Sequence, residues 1–296
     1  MTTTPDLAAT GLPRPAPRRA AAQIFAQAWA LNRMKLGVVI TGLVLFVALA
    51  GPLLAPHGEA DMISAPYRPP SATALLGTDY LGRDVVSRVL HGGQTVVLLS
   101  VIATVLGVLG GTVLGLVAGY ARGRLDSIAM FCCDVLLAFP QIVLVLVGVA
   151  MVGPRGDMLA LLVALTHLPR IARLARSLTA DIAEREFVQS ARLMGIPHRR
   201  ILLLEILPNI ITPLLVETAL RLTWSIGLIA GLGFLGYGIQ PPTADWGLMI
   251  NENRNGLIIQ VWAVAAPALM VFLFTVGTNL IAEAGTRVVA RTSPES

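Results

Sequence analysis

Lysine is almost missing from this chain. Lys35 stands alone among 22 basic residues, and charged residues make up 13% of the 296. Soluble domains carry about 25%. A freely soluble fold this poor in charge and 55% hydrophobic would leave apolar surface facing water, so a membrane protein is the first reading. Lys35 follows Met34 and precedes Leu36, so a phosphate-binding Gly-Lys-Ser/Thr loop is excluded too. Any ATP chemistry must sit on another chain. Cysteine is scarce: Cys132 and Cys133 are adjacent, which suits neither a disulfide framework nor a four-ligand zinc site. His57, His91, His167 and His198 lack metal-ligand spacing, so no metal site is expected and the histidines read as isolated interface or packing residues. No Ser-His-Asp arrangement is indicated and no acid pair faces a soluble cleft, which argues against a membrane enzyme.

What the chain does have is long apolar runs. Residues 36–56 carry no charge over 21 positions, enough to span a core of about 30 Å as a helix. The rival is a signal peptide, since Ala48-Leu49-Ala50 resembles a cleavage site, but Pro52 and the continuing run fit an anchor better. Further runs cover 94–121, 127–153, 158–169, 209–236 and 261–282. The run 158–169 rises only about 18 Å and needs Arg170 and Arg173 to snorkel to the headgroups. The expectation is an all-α integral membrane protein with six transmembrane helices. Its parts are a basic tail (1–35), a first span (36–56), a polar segment (57–93), a five-helix domain (94–286) and a short tail (287–296).

Orientation follows from charge. With the N-terminus inside, cytoplasmic segments collect 16 of the 22 basic residues. That bias places both termini in the cytoplasm. The net charge of +5 therefore reports topology, not nucleic-acid binding. It also puts 170–208 inside, including the charged stretch "QSARLMGIPHRRILLLEILPN" at 189–209. Phe187, Ala191 and Met194 share one face of a short helix. Gly195 suits a helix end with positive φ, and Pro197 suits the first turn of a second short helix. Such a helix–turn–helix either lies on the headgroups or docks a soluble partner.

The spacing Ala191-x3-Gly195-x10-Ile206-Leu207-Pro208 resembles the "EAA" loop of ABC importer permeases. "LLGTDYLGRDVVSR" (75–88) and "GLGFLGYGIQPPTADWG" (231–247) resemble segments of the C-type permeases of dipeptide and oligopeptide importers. The resemblance covers roughly residues 30–290. It implies a type I importer permease fold in a bacterial cell membrane. It also implies a coupling loop at about 183–208, with Gln189, Ser190, Ala191, Arg192, Met194, Gly195, Ile196 and Pro197 docking an ATPase. Gln189 departs from the Glu usual in that loop, and Ser190 from its frequent Ala. The implied partners are a homologous second permease, two ATPase subunits that bind ATP and Mg, and an extracytoplasmic binding protein. No cofactor is implied for this chain. The implied cargo is peptides, with nickel, glutathione or haem as the alternatives.

Other features have their own readings. Gly231, Gly233 and Gly236 satisfy G-x-G-x-x-G, but an apolar helix precedes and Pro241-Pro242 follow, the wrong setting for dinucleotide binding. Gly107, Gly111, Gly115 and Gly119 form a small-residue stripe for close helix packing, the partner helix being open. Glu217 and Arg221 lie one helical turn apart and can pair, either structurally or lining a pathway. With Asp134 they are the intramembrane charges that a self-contained secondary transporter would use as a relay; three are few, and such a transporter has no use for a docking loop.

Overall fold

The computed structural model describes residues 26–292. Of the basic tails expected at 1–35 and 287–296, residues 1–25 and 293–296 fall outside the described part, as do the side chains from Val289 onward. Among the described residues the chain is helical, with only two isolated β-bridges. The helices are α1 (Asn32–Leu54), α2 (Val85–Ala121), α3 (Gly123–Leu137), α4 (Gln141–Val152), α5 (Gly156–Ala183) and α6 (Glu186–Leu193). Then come α7 (His198–Phe234), α8 (Trp246–Asn253) and α9 (Trp262–Thr292). Helices α1, α2, α5, α7 and α9 are each long and apolar enough to cross a membrane. The bent pair α3–α4 is long and apolar enough for a sixth crossing when its two helices are taken together as one span.

Four details differ from the sequence expectation. The second span begins at Val85, not 94, because Asp84 caps it: its carboxylate accepts from the Ser87 N–H at 2.9 Å and the Ser87 hydroxyl at 2.6 Å. The first turns of α2 therefore belong to the segment expected as polar and external. The run 127–153 is not one helix, since α3 and α4 meet at 87°. Pro140 lacks an N–H and constrains Phe139, so the helix breaks there. The fourth span is not a 12-residue piece, because α5 runs straight through Pro169 to Ala183. Packing on α2 supports it, and the Gln141 side chain donates to the Thr166 carbonyl at 3.3 Å in the turn before the proline. Finally, no separate second short helix follows Gly195. His198–Arg200 continue through a π-helical stretch, Ile201–Ile206, into α7 without a break at Pro208.

The glycine stripe of α2 packs on α5 of the same chain. A Cβ on Gly107 would sit 2.7 Å from the Ala164 carbonyl oxygen, and one on Gly111 2.7 Å from that of Leu168. Gly115 and Gly119 face the carbonyls of Ala172 and Arg176 in the same register. Four glycines meet four carbonyls at matching steps of four, so α2 and α5 run parallel with backbones in contact.

Candidate docking surface and charged sites

At one end of the bundle, α6 hangs between α5 and α7. Val188 and Ala191 are buried against Ile171, Ala175, Ile182, Ile201 and Ile206. The expected face of Phe187, Ala191 and Met194 is only partly the inward one. Ala191 is buried, but Phe187 is 40% and Met194 71% exposed, and Leu193 beside it is 89% exposed. The helix thus buries Val188 and Ala191 and presents an apolar tip.

The turn that follows is tightly specified. Gly195 has φ +74°. Its N–H donates to the Arg192 carbonyl at 3.0 Å, and the Ile196 N–H donates to the Ala191 carbonyl at 3.1 Å. These two bonds form a Schellman motif, which satisfies the last carbonyls of α6 and requires the left-handed residue. Pro197 precedes α7 as its cap, and its carbonyl accepts from the Arg200 N–H at 2.9 Å. Neighbouring side chains brace the turn. The Arg192 guanidinium lies 4.3 Å from the centre of the Tyr120 ring, and the Tyr120 hydroxyl is 2.8 Å from His198 Nδ1. Gln189 donates its amide to the Glu184 carbonyl at 2.9 Å, a bond that a glutamate could not make. Ser190 contributes its carbonyl to the last turn, accepting from the Met194 N–H at 3.0 Å.

Deeper in the bundle, Glu217 and Arg221 are ion-paired at 2.6 Å, with Arg221 7% and Glu217 23% exposed. The buried Arg221 Nε and Nη1 find no acceptor among the described residues. Close by in sequence, Ser225 is a hub that pattern reading missed: its hydroxyl is 2.8 Å from both Thr104 Oγ1 and His167 Nε2, tying α2, α5 and α7 together. His167 is accordingly a buried packing residue. Asp134 is half exposed and pairs with Arg173, and Asp126 holds Arg176 through two bonds of 2.6 Å. Arg173 therefore bridges α5 to α3.

The opposite end holds a second charged cluster. Asp79 accepts from Arg83 at 2.7 Å and Arg88 at 2.8 Å. Glu252 accepts from Arg88 at 2.6 Å, Arg83 at 3.2 Å and the Tyr80 hydroxyl at 3.0 Å. The side chains of Arg88, Asp79, Arg83 and Glu252 are 0%, 1%, 3% and 6% exposed. Two cations and two anions balance, and the cluster staples 75–88 to α8. Burial pulls the Arg83 guanidinium down, but Asp79 and Glu252 outweigh it and its pKa is raised. Burial, together with the Glu252 charge, raises the Tyr80 phenol. Asp245 caps α8, accepting from the Leu248 N–H at 3.0 Å, and burial pushes its carboxyl up to about 6. The segment 75–88 stood out in the sequence, but Glu252, which lies past the 231–247 motif, and its joining to that segment across more than 160 residues did not. No metal-ligand cluster occurs among the described residues.

Residues 111–290 match the model of the family described as "Binding-protein-dependent transport system inner membrane component". The chain is 34% identical over 267 residues to a di/tripeptide transport system permease protein of Pseudomonas aeruginosa, covering 88% of each chain. It is 35% identical to a probable D,D-dipeptide transport system permease protein of Escherichia coli, over 86% of this chain and 87% of that one. It is 38% identical to a glutathione transport system permease protein of Pectobacterium atrosepticum, over 72% and 71%. With a helical fold of five or six apolar spans among the described residues, a family match over 111–290 and relatives covered over 71–88% of their length, the chain belongs to the binding-protein-dependent transport system inner membrane component family, the multi-pass permeases of ABC transporters.

Proposed function

We propose that this chain is one permease subunit of an ATP-driven importer and forms half of a pathway for di- or oligopeptides. A homologous permease supplies the other half, and an extracytoplasmic binding protein delivers the cargo. Two separate ATPase subunits bind ATP and Mg and dock on α6 and its Gly195 turn. The observation that carries the reading is the α6 tip. A rigid, Schellman-capped helix, anchored to α5 and α7, exposes Leu193 and Met194 on an element too small to cross a membrane. Motion at that tip passes directly into two crossing helices. ATP closes the ATPase pair, the tip moves, and α5 and α7 open the path to the opposite face. The arginine bias supports an inner-membrane orientation with both termini and α6 in the cytoplasm.

The cargo reading rests on relatives whose names specify dipeptides and tripeptides. The glutathione permease relative supports a second reading, in which the same architecture carries that modified tripeptide. The test is uptake by the complete complex in vesicles loaded with ATP. Labelled dipeptide should accumulate, and glutathione should compete only if the second reading holds. Absence of ATP-dependent uptake of any peptide would refute the proposal.

A further inference from the structure

We propose that Arg170 is the specificity-determining residue of this pathway, a guanidinium station for the carboxylate of the travelling substrate. This rests on the reading of the chain as half of a peptide pathway. Arg170, Arg173 and Arg176 follow one another along α5. Arg173 and Arg176 are matched by Asp134 and Asp126 of α3. Arg170 comes level with the break between α3 and α4, where the chain reads Ala138-Phe139-Pro140-Gln141 and offers no acid. No carboxylate pairs with Arg170 among the described residues.

Arg170 is exposed in this chain, at the wall of two open, adjoining spaces. A space of about 320 Å³ at the helix break and a larger one of about 750 Å³ share Gln141 and Arg170 as walls. The larger space is completed by Thr223, Trp224, Thr275 and Asn279 from α7 and α9. It has room for a small peptide, several neutral polar groups and one unmatched positive charge. Its depth is also right. Arg170 lies 14 residues along α5, about 21 Å from the helix start, and Arg221 lies about 20 Å from the matching end of α7. Arg221 already has Glu217. An unmatched arginine inside a membrane protein is a functional position by default. Its planar fork fits a carboxylate through two parallel bonds, which a lysine would meet with a single point charge. The first turn of α4, which begins at Gln141, adds unpaired N–H groups at the same wall. Every free peptide ends in a carboxylate, so one station serves cargo of varied side chains.

The test uses the complete complex in vesicles, with binding protein saturated by a dipeptide or by its C-terminal amide. Each variant's rate is divided by the wild-type rate for the same peptide, which cancels the binding protein's own preference. Arg170→Gln should slow the dipeptide on the order of tenfold and leave the amide within about twofold, the scale of one charged hydrogen bond. Arg170→Lys should keep part of the dipeptide rate. Binding-protein-stimulated ATP hydrolysis and recovery of the second permease should stay at wild-type levels in both variants. Equal effects on the two peptides would overturn the inference. So would loss of the second permease in Arg170→Gln, which would make Arg170 an assembly residue. Unchanged rates would place it against lipid headgroups. A wild-type complex that takes up no peptide would refute the importer reading itself.

Discussion

Replacing Glu252 by Gln should destabilise the α8 end sharply. The substitution keeps the shape and removes one of two negative charges facing Arg83 and Arg88. The four side chains are between 0% and 6% exposed, so water screens the imbalance poorly. Breaking a buried ion pair costs about 3–5 kcal/mol, because the partner charge stays buried and unmatched. For a chain of this size each kcal/mol moves Tm by about 2–4 °C, so the fall should be on the order of 10 °C. Intrinsic tryptophan fluorescence during heating in detergent reads it directly. Trp246 is fully buried in α8 and donates to the Val89 carbonyl at 2.9 Å, beside the cluster. Adding Arg88→Met to Glu252→Gln restores charge balance, with Asp79 left to Arg83, and should recover at least half of the loss. A single variant within about 2 °C of wild type, or a double variant showing the plain sum of two losses, would refute the argument from charge balance.

Other positions test the packing, the cap and the turn. Gly111→Val drives a side chain into the Leu168 carbonyl and Ile171, so α2 and α5 must part; overpacking of about 1–3 kcal/mol should appear as reduced yield and a lower Tm. Asp245 titrates higher in the folded protein than its ordinary value of 3.8, so the folded state binds the extra proton and stability falls as pH rises from about 4 to about 6. Asp245→Asn keeps the cap acceptor and cannot ionise, so its Tm should lose that pH-dependent fall, whereas Asp245→Ala should cost about 1 kcal/mol. At Gly195 a Cβ meets nothing within 4 Å, so Gly195→Val costs only the backbone, about 1–2 kcal/mol. Insertion should survive while ATPase co-purification drops in a detergent pull-down. Gln189→Glu loses one exposed hydrogen bond and should stay within about 0.5 kcal/mol of wild type in the same preparation.

Local signals in this sequence read well, and long-range ones did not. Gly195 announced a left-handed turn because only backbone sterics decide such a position, and its φ is +74°. The α2 stripe announced close packing, but glycine spacing carries no label for its partner, which is α5. Prolines show the limit most clearly. Pro140 breaks its helix, while Pro52, Pro169, Pro213 and Pro267 ride inside theirs. The cost of a proline is local, but its compensation comes from neighbouring helices, so the 12-residue fourth span became part of a 28-residue rod. Helix α6 differs from its expected face for a similar reason. Its apolar residues split between an anchored side at Val188 and Ala191 and an exposed tip at Leu193 and Met194, and periodicity cannot say which side the protein covers. The Asp79–Arg83–Arg88–Glu252 cluster joins residues far apart in the chain, which pairing rules based on spacing cannot reach.

The central claim is that the α6 tip meets a soluble ATPase on the cytoplasmic side. In a background without Cys132 and Cys133, a cysteine at Leu193 or Met194 should crosslink to an ATPase subunit in the assembled complex, with a yield that changes when ATP is added. Neither cysteine should react in intact cells with an impermeant thiol reagent, whereas one at the fully exposed Ile258 should. Labelling of Leu193→Cys from outside the cell, or a tip that never crosslinks to the ATPase in a complex active in uptake, would contradict the account.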